Sequence, residues 1–195
     1  MKVRSVCVYC GANPGNRPAY IEAARTFARL LAQRGVRLVY GGASVGVMGA
    51  VADAALEAGG EVVGVIPQSL VDREVAHNGL TELVITGSMH ERKARMADLA
   101  DAFVALPGGI GTLEEIFEIW TWGQLGFHRK PCGLLNVDGY YETLIRFLDE
   151  AVANGFVRDI HRGILLTARD GEELLEAFEH YEPPSVPRWV GRNET

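Results

Sequence analysis

The sequence predicts a doubly wound, Rossmann-like α/β domain, and three observations carry that prediction. Apolar runs alternate with amphipathic segments along the chain. Several runs ("VRLVY", "EVVGVI", "AFVAL", "CGLLNV") are apolar at consecutive positions, as in parallel strands covered by helices on both faces. Finally, three of the turns that follow strands are glycine-rich ("CGANPGN", "YGGASVGVMGA", "PGGIGTLEE"), and open α/β sheets bind ligands outside the carboxyl ends of their strands.

In chain order, the apolar runs place strands at 3–9, 36–40, 61–66, 82–85, 102–106, 131–135 and 163–167. Amphipathic patterns place helices at 18–34, 47–58, 89–99, 111–125, 140–153 and 171–180. This alternation is that of a single parallel sheet. A chain of 195 residues, 48% apolar, fits one domain with a sizeable core. The domain is expected over 1–182, and the proline-containing stretch 183–195 is expected to leave it as an extended or disordered tail.

Composition narrows the function. A net charge of −6 and a pI near 5.4 argue against nucleic acid as the main partner. No segment approaches the ~20 apolar residues of a membrane span. The N-terminus runs straight into a strand without a signal peptide, so a cytoplasmic location is expected. Cys7 and Cys10 form a C-x-x-C, but residues three apart in a strand point to opposite faces, too far apart for a disulfide. With no second pair of cysteines or paired histidines, no metal site is expected.

The glycine turns match neither common nucleotide signature. A Walker A loop needs Lys and Ser/Thr directly after its last glycine, and neither turn has them. The dinucleotide fingerprint G-x-G-x-x-G fails because Glu114 stands where "GIGTLE" needs its third glycine. What survives is simpler. Gly108, Gly109 and Gly111 allow close backbone approach, Thr112 adds a hydroxyl, and a helix N-terminus there favours an anion. The alternative is a tight strand–helix connection without a ligand.

In "SMHERKARM", Met89, Arg92, Lys93 and Met96 share a helix face that Ala100 continues. Two cations directed inward at a helix start oppose both burial and the helix dipole, so they call for an anionic partner; snorkelling side chains are the plainer reading. Glu115 lies on a face with Ile119 and Trp122, unlike an open solvent face, whereas Glu114 and Glu118 read as solvated acids. The helix is apolar on more than one side through Leu113, Ile116, Phe117, Ile119 and Trp120, which suggests a homodimer.

These segments resemble the Lonely Guy (LOG) family. "PGGIGTLEE" is similar to its P-G-G-x-G-T-x-x-E signature and "MHERKARM" to its M-H-x-R-K-x-x-M companion. The resemblance extends over roughly 3–180. It implies a dimeric Rossmann-like phosphoribohydrolase without metal or organic cofactor. Such an enzyme cleaves N6-substituted adenosine 5′-monophosphates, or AMP, to free base and ribose 5-phosphate. It further implies Arg92 and Glu115 as the catalytic pair. Substrate contacts would come from Glu74, Arg92, Lys93, Gly108, Gly109, Ile110, Gly111, Thr112, Leu113, Glu114, Glu115 and Thr121. One departure is "CGAN", with Ala12 and Asn13 where many members have two serines.

The acid beside the phosphate turn then has a reason: the glycines would take the 5′-phosphate and Glu115 the cationic charge developing on the ribose. Arg92 would favour an ionised Glu115. A lysine decarboxylase is disfavoured, because the motif assigns Lys93 to nucleotide binding. Two rivals remain: a nucleotide-binding or sensing module without turnover, and a nucleosidase indifferent to phosphate.

Overall fold

The computed structural model describes residues 2–71 and 76–185. Seven parallel strands form one sheet: β1 (Ser5–Tyr9), β2 (Arg37–Tyr40), β3 (Val62–Pro67), β4 (Glu82–Thr86), β5 (Ala102–Ala105), β6 (Cys132–Leu135) and β7 (Leu165–Ala168). Their order in the sheet is β4-β3-β2-β1-β5-β6-β7. The chain winds outward from β1 to β4, then crosses back to place β5 beside β1, with Val6 opposite Ala102. The switch point therefore lies between β1 and β5, and the crevice expected there opens at their carboxyl ends.

Among the described residues, eight helices connect and flank the strands: α1 (Pro18–Gln33), α2 (Gly46–Glu57), α3 (Gln68–Val71), α4 (Met89–Leu99), α5 (Ile110–Gln124), α6 (Glu142–Ala153), α7 (Asp159–Arg162) and α8 (Gly171–Glu179). Each strand and long helix falls where the apolar runs predict it, within two residues at either end. The short α3 and α7 and the 3₁₀ turn Val137–Gly139 were not expected, since one turn is too short to show a helical period.

The two cores follow from the period-two alternation of strand side chains. Val6, Val8, Leu38, Tyr40, Val62 and Val104 face α1, α2 and α8. Cys7, Tyr9, Val39, Val63, Phe103 and Leu134 face α4 and α5 on the other side. Cys7 and Cys10 thus occupy opposite layers, and all three cysteines are buried and free. Burial pushes each thiol well above its ordinary range.

Among the described residues no helix is long and apolar enough to cross a membrane. The expected tail lies largely outside them, at 186–195; residues 181–185 have no regular secondary structure. The last helix still belongs to the core. Phe178 and Leu174 are fully buried, and Gly133 leaves room for them: an added Cβ would lie 2.7 Å from Leu174 Cδ1 and 3.0 Å from Phe178 Cζ. Phe178→Ala should therefore destabilise the fold by about 3–5 kcal/mol, measured from the urea unfolding midpoint.

Candidate active site

The glycine turn between β5 and α5 is built by backbone constraint. Tyr141 donates its hydroxyl to Leu106 O at 2.7 Å, Gly11 N donates to Pro107 O at 3.2 Å, and Tyr140 donates to Gly108 O. Gly108 has no room for a side chain, since a Cβ would lie 2.1 Å from Thr112 Oγ1 and 2.8 Å from Gly11 N. At Gly109 and Gly111 an added Cβ would meet nothing within 4 Å, so both face open space. Gly109 is the N-cap of α5 and supplies no side-chain cap. The first N–H groups of the helix, which lack intrahelical acceptors, are thus left to a ligand or water.

This turn forms one wall of a cleft of about 500 Å³. The loop 11–15 and the start of α2 form the facing wall, where Gly11 O accepts from Val47 N and Met48 N. Tyr20, Met48, Leu70, Met89 and Tyr140 supply apolar surface, with the rings of Tyr20 and Tyr140 edge to face at 5.4 Å.

The charges enter from α4 and α5, which pack on the same sheet face. Ser88 caps α4 by accepting from Glu91 N at 3.1 Å, and Glu91 accepts from Gly87 N at 2.7 Å. This orderly start fixes the direction of Arg92 and Lys93. Arg92 is 8% exposed; its Nε donates to Val65 O at 2.9 Å and its Nη1 to Glu115 Oε1 at 3.1 Å. The two side chains are only 10% and 12% exposed, and both line the cleft. Gly41 makes the arrangement possible, for a Cβ there would lie 2.3 Å from Arg92 Nη2.

Lys93 takes another direction. Its Nζ donates to Glu114 Oε1 at 2.6 Å and to Glu118 Oε1 at 3.0 Å. Those two acids are ion-pair partners rather than free solvated groups, which corrects the expectation from the helix pattern. The Glu115 carboxyl titrates above its ordinary value of 4.5. Burial is the main cause, and the opposing pull of Arg92 does not overcome it. The expectation that Arg92 would favour the ionised form thus names a real influence, but the lesser one. Burial lowers the pKa of Lys93, yet its hydrogen bonds to Glu114 and Glu118 leave it above its ordinary value.

Comparison with known proteins gives this geometry a family. Residues 48–178 match the family model described as "Possible lysine decarboxylase". The cytokinin riboside 5′-monophosphate phosphoribohydrolase LOG7 of Arabidopsis thaliana is 50% identical over 93% of this chain and 84% of its own. The enzyme LOG of Oryza sativa subsp. japonica, of the same name, is 49% identical over 93% of this chain and 75% of its own. The chain belongs to the LOG family. The same fold extends further: the molybdenum cofactor carrier protein of Chlamydomonas reinhardtii superposes with a TM-score of 0.70 over 91% of this chain and 97% of its own. At 22% identity that likeness concerns the fold alone.

The residues singled out by the LOG motifs do not all meet in the cleft. Arg92, Gly108, Gly109, Gly111, Thr112, Glu114 and Glu115 line it. Ile110 is 87% exposed and Leu113 half-buried, and neither is among the lining side chains. Thr121 is exposed and donates to Phe117 O at 2.7 Å within its own helix. Glu74 lies outside the described residues. Met89, expected inward, is 42% exposed and lines the cleft, and its sulfur accepts from Arg92 Nη1 at 3.3 Å. Ala12 and Asn13, the departure from the LOG pattern, line the cleft as well, and an added Cβ at Gly46 would lie 2.3 Å from the Ala12 carbonyl.

Sequence reasoning missed Gly41, Tyr20, Tyr140 and Tyr141. The glycine pair "YGG" at the end of β2 was the available signal for Gly41; the tyrosines offered none, since they approach from distant elements. Two substitutions separate the roles of the glycines. Gly41→Ala drives a methyl into the Arg92 guanidinium and should cost about 1–3 kcal/mol, whereas Gly109→Ala has open space and should unfold within about 0.5 kcal/mol of wild type. Chemical denaturation of the two variants measures the difference.

Proposed function

We propose that this LOG-family chain is a nucleoside 5′-monophosphate phosphoribohydrolase: water and an N6-substituted adenosine 5′-monophosphate, or AMP, give the free base and ribose 5-phosphate. The observation that carries the reading is the buried Arg92–Glu115 pair in the same cleft as an uncapped, glycine-lined helix N-terminus. The phosphoribohydrolase activity for which these relatives are named supports the same reading at close to half identity.

The two features suit two ends of one substrate. The N–H groups at the start of α5 and the positive end of its dipole favour the 5′-phosphate. Glu115 stands five residues after Ile110, about 7.5 Å further along the helix axis at 1.5 Å per residue. A carboxylate at that depth can stabilise the positive charge that grows on the ribose as the C1′–N bond breaks. It can also orient the water that adds to C1′. Arg92 fixes the carboxylate through Nη1 while Val65 O holds its Nε. The departing base takes a proton, so the overall reaction is a hydrolysis and calls for no metal or organic cofactor. A decarboxylase reading would need a lysine whose amine is readily deprotonated for a Schiff base; Lys93 instead sits between two carboxylates with its ammonium form favoured.

The surface is consistent with a homodimer. Ile110 is 87% exposed at the start of α5, and Phe117 and Trp122 of that helix are only half-buried. The acidic net charge fits a cytoplasmic enzyme of small nucleotides, with neither nucleic acid nor membrane as its partner.

Chromatographic detection of free base from N6-isopentenyl-AMP, AMP and adenosine tests the assignment. Base should come from the monophosphates and not from adenosine, and Glu115→Gln should lower kcat at least 100-fold. Nucleotide binding with no base released would mean a carrier or sensor; equal turnover of adenosine would mean a phosphate-indifferent nucleosidase. Gly109→Ala should raise KM for AMP about 10-fold by obstructing approach to the helix N–H groups.

The pH dependence follows from Glu115. Its folded pKa is raised above 4.5, so the native state holds this proton more tightly than the unfolded chain. Its contribution to stability is therefore full below 4.5 and is lost as pH rises through the folded value. Activity has the opposite sense, because the carboxylate is the working form. The acid limb of the kcat/KM profile, which reports the free enzyme, should lie above 4.5 and vanish in Glu115→Gln.

A further inference from the structure

Lys93 lies one residue from Arg92, yet the two cations serve different carboxylates. Arg92 pairs with Glu115, whereas Lys93 spans Glu114 and Glu118, the neighbours of Glu115 one residue before it and three after it. Glu118, three residues on, is a neighbour of Glu115 on the helix surface, and the charges of both Glu114 and Glu118 act on the Glu115 carboxyl. Lys93 is itself buried, 9% exposed, and is not among the side chains lining the cleft. Its ammonium is thus committed to the α4–α5 seam rather than to the ligand space.

We propose that Lys93 is a positioning residue for Glu115: by holding Glu114 and Glu118 it shields the Glu115 carboxylate from two adjacent negative charges and fixes the spacing of α4 and α5. The inference rests on the phosphoribohydrolase reading for its kinetic consequence, though not for its electrostatic one. Three acids of α5 face two cations of α4, so removal of Lys93 leaves Glu114 and Glu118 uncompensated beside a buried carboxyl. Both acids push the Glu115 pKa upward, and Arg92 and Lys93 pull it down. Cys7 and Tyr9 of β1, and Cys10 in the cleft wall, also lie within electrostatic reach of Glu115; burial keeps all three protonated and uncharged at neutral pH. The charge environment that can change around Glu115 is therefore made by Arg92, Lys93, Glu114 and Glu118.

The test is the Lys93→Met variant, which keeps most of the side-chain length and removes the charge. Its Glu115 carboxyl is followed by ¹³C NMR titration in the full-length protein, assigned with Glu115→Gln. The Glu115 titration should move up by about one pH unit, and the acid limb of kcat/KM for AMP, which reports the free enzyme, should move with it. KM for AMP at pH 8 should stay within about twofold of wild type. Lys93→Met/Glu118→Gln should bring both titration and limb part of the way back, because it removes an acid that lies outside the cleft. An unmoved titration with KM raised 10-fold or more, unrescued by Glu118→Gln, would overturn the inference and make Lys93 a direct substrate ligand. Absence of base release by the wild-type protein would defeat the enzymatic reading alone, since the NMR titration decides the role of Lys93 without turnover.

Discussion

The site depends on a buried ion pair between neighbouring helices. Removing a guanidinium and a carboxylate from water is costly, and each tolerates burial only because the other is present with further hydrogen bonds. Arg92 meets those conditions through Glu115 and the carbonyl of Val65 at the end of β3. Other features follow from that requirement. The residue after β2 must be glycine, because its Cβ would occupy the place of the guanidinium. The start of α4 must be well capped, since a frayed first turn would release the arginine from its acceptors. A carboxyl held this way has its pKa raised by burial and restrained by its cationic neighbours.

The fold makes room for such a pair at one place. Doubly wound topology leaves a crevice where β1 and β5 part company, and both loops that bound it are held by backbone contacts. Gly11 bonds to Pro107 across the crevice, and Tyr140 and Tyr141 grip the carbonyls on either side of Pro107. With these carbonyls occupied, the free groups presented to the cleft are N–H donors. One helix thereby offers donors at its first turn and a carboxylate about a turn and a half later, an order suited to a ligand negative at one end and transiently positive in the middle. The same fold at low identity occurs in a molybdenum cofactor carrier, so the scaffold alone does not determine chemistry.

Much of this was legible in the amino-acid order. Continuous apolar runs mark buried parallel strands, and each strand appeared where its run lies, because burial on both faces demands that pattern. The buried cations were legible for a similar reason: Arg92 and Lys93 share an inward face with Met96 and Ala100, and a helix cannot turn one pair outward without turning the other. Glu115 stood out because Ile119 is its neighbour on the helix. The one-turn helices α3 and α7 left no trace, since a single turn has no period to detect.

The sequence by itself determined the sheet, its two covered faces and the cleft at the strand ends, and it marked Arg92 and Glu115 as oddly placed charges, while their pairing was implied by the LOG resemblance. Tertiary structure decided which carboxylate each cation takes, and so sent Lys93 to Glu114 and Glu118 while Arg92 reached Glu115. It also decided the protonation balance of Glu115, where burial outweighs the arginine, and the grip of the tyrosines on the glycine turn. The reason is physical. Periodicity reports which face of an element is buried, but distances between side chains of different elements, and the desolvation that sets their charges, exist only once those elements are packed together.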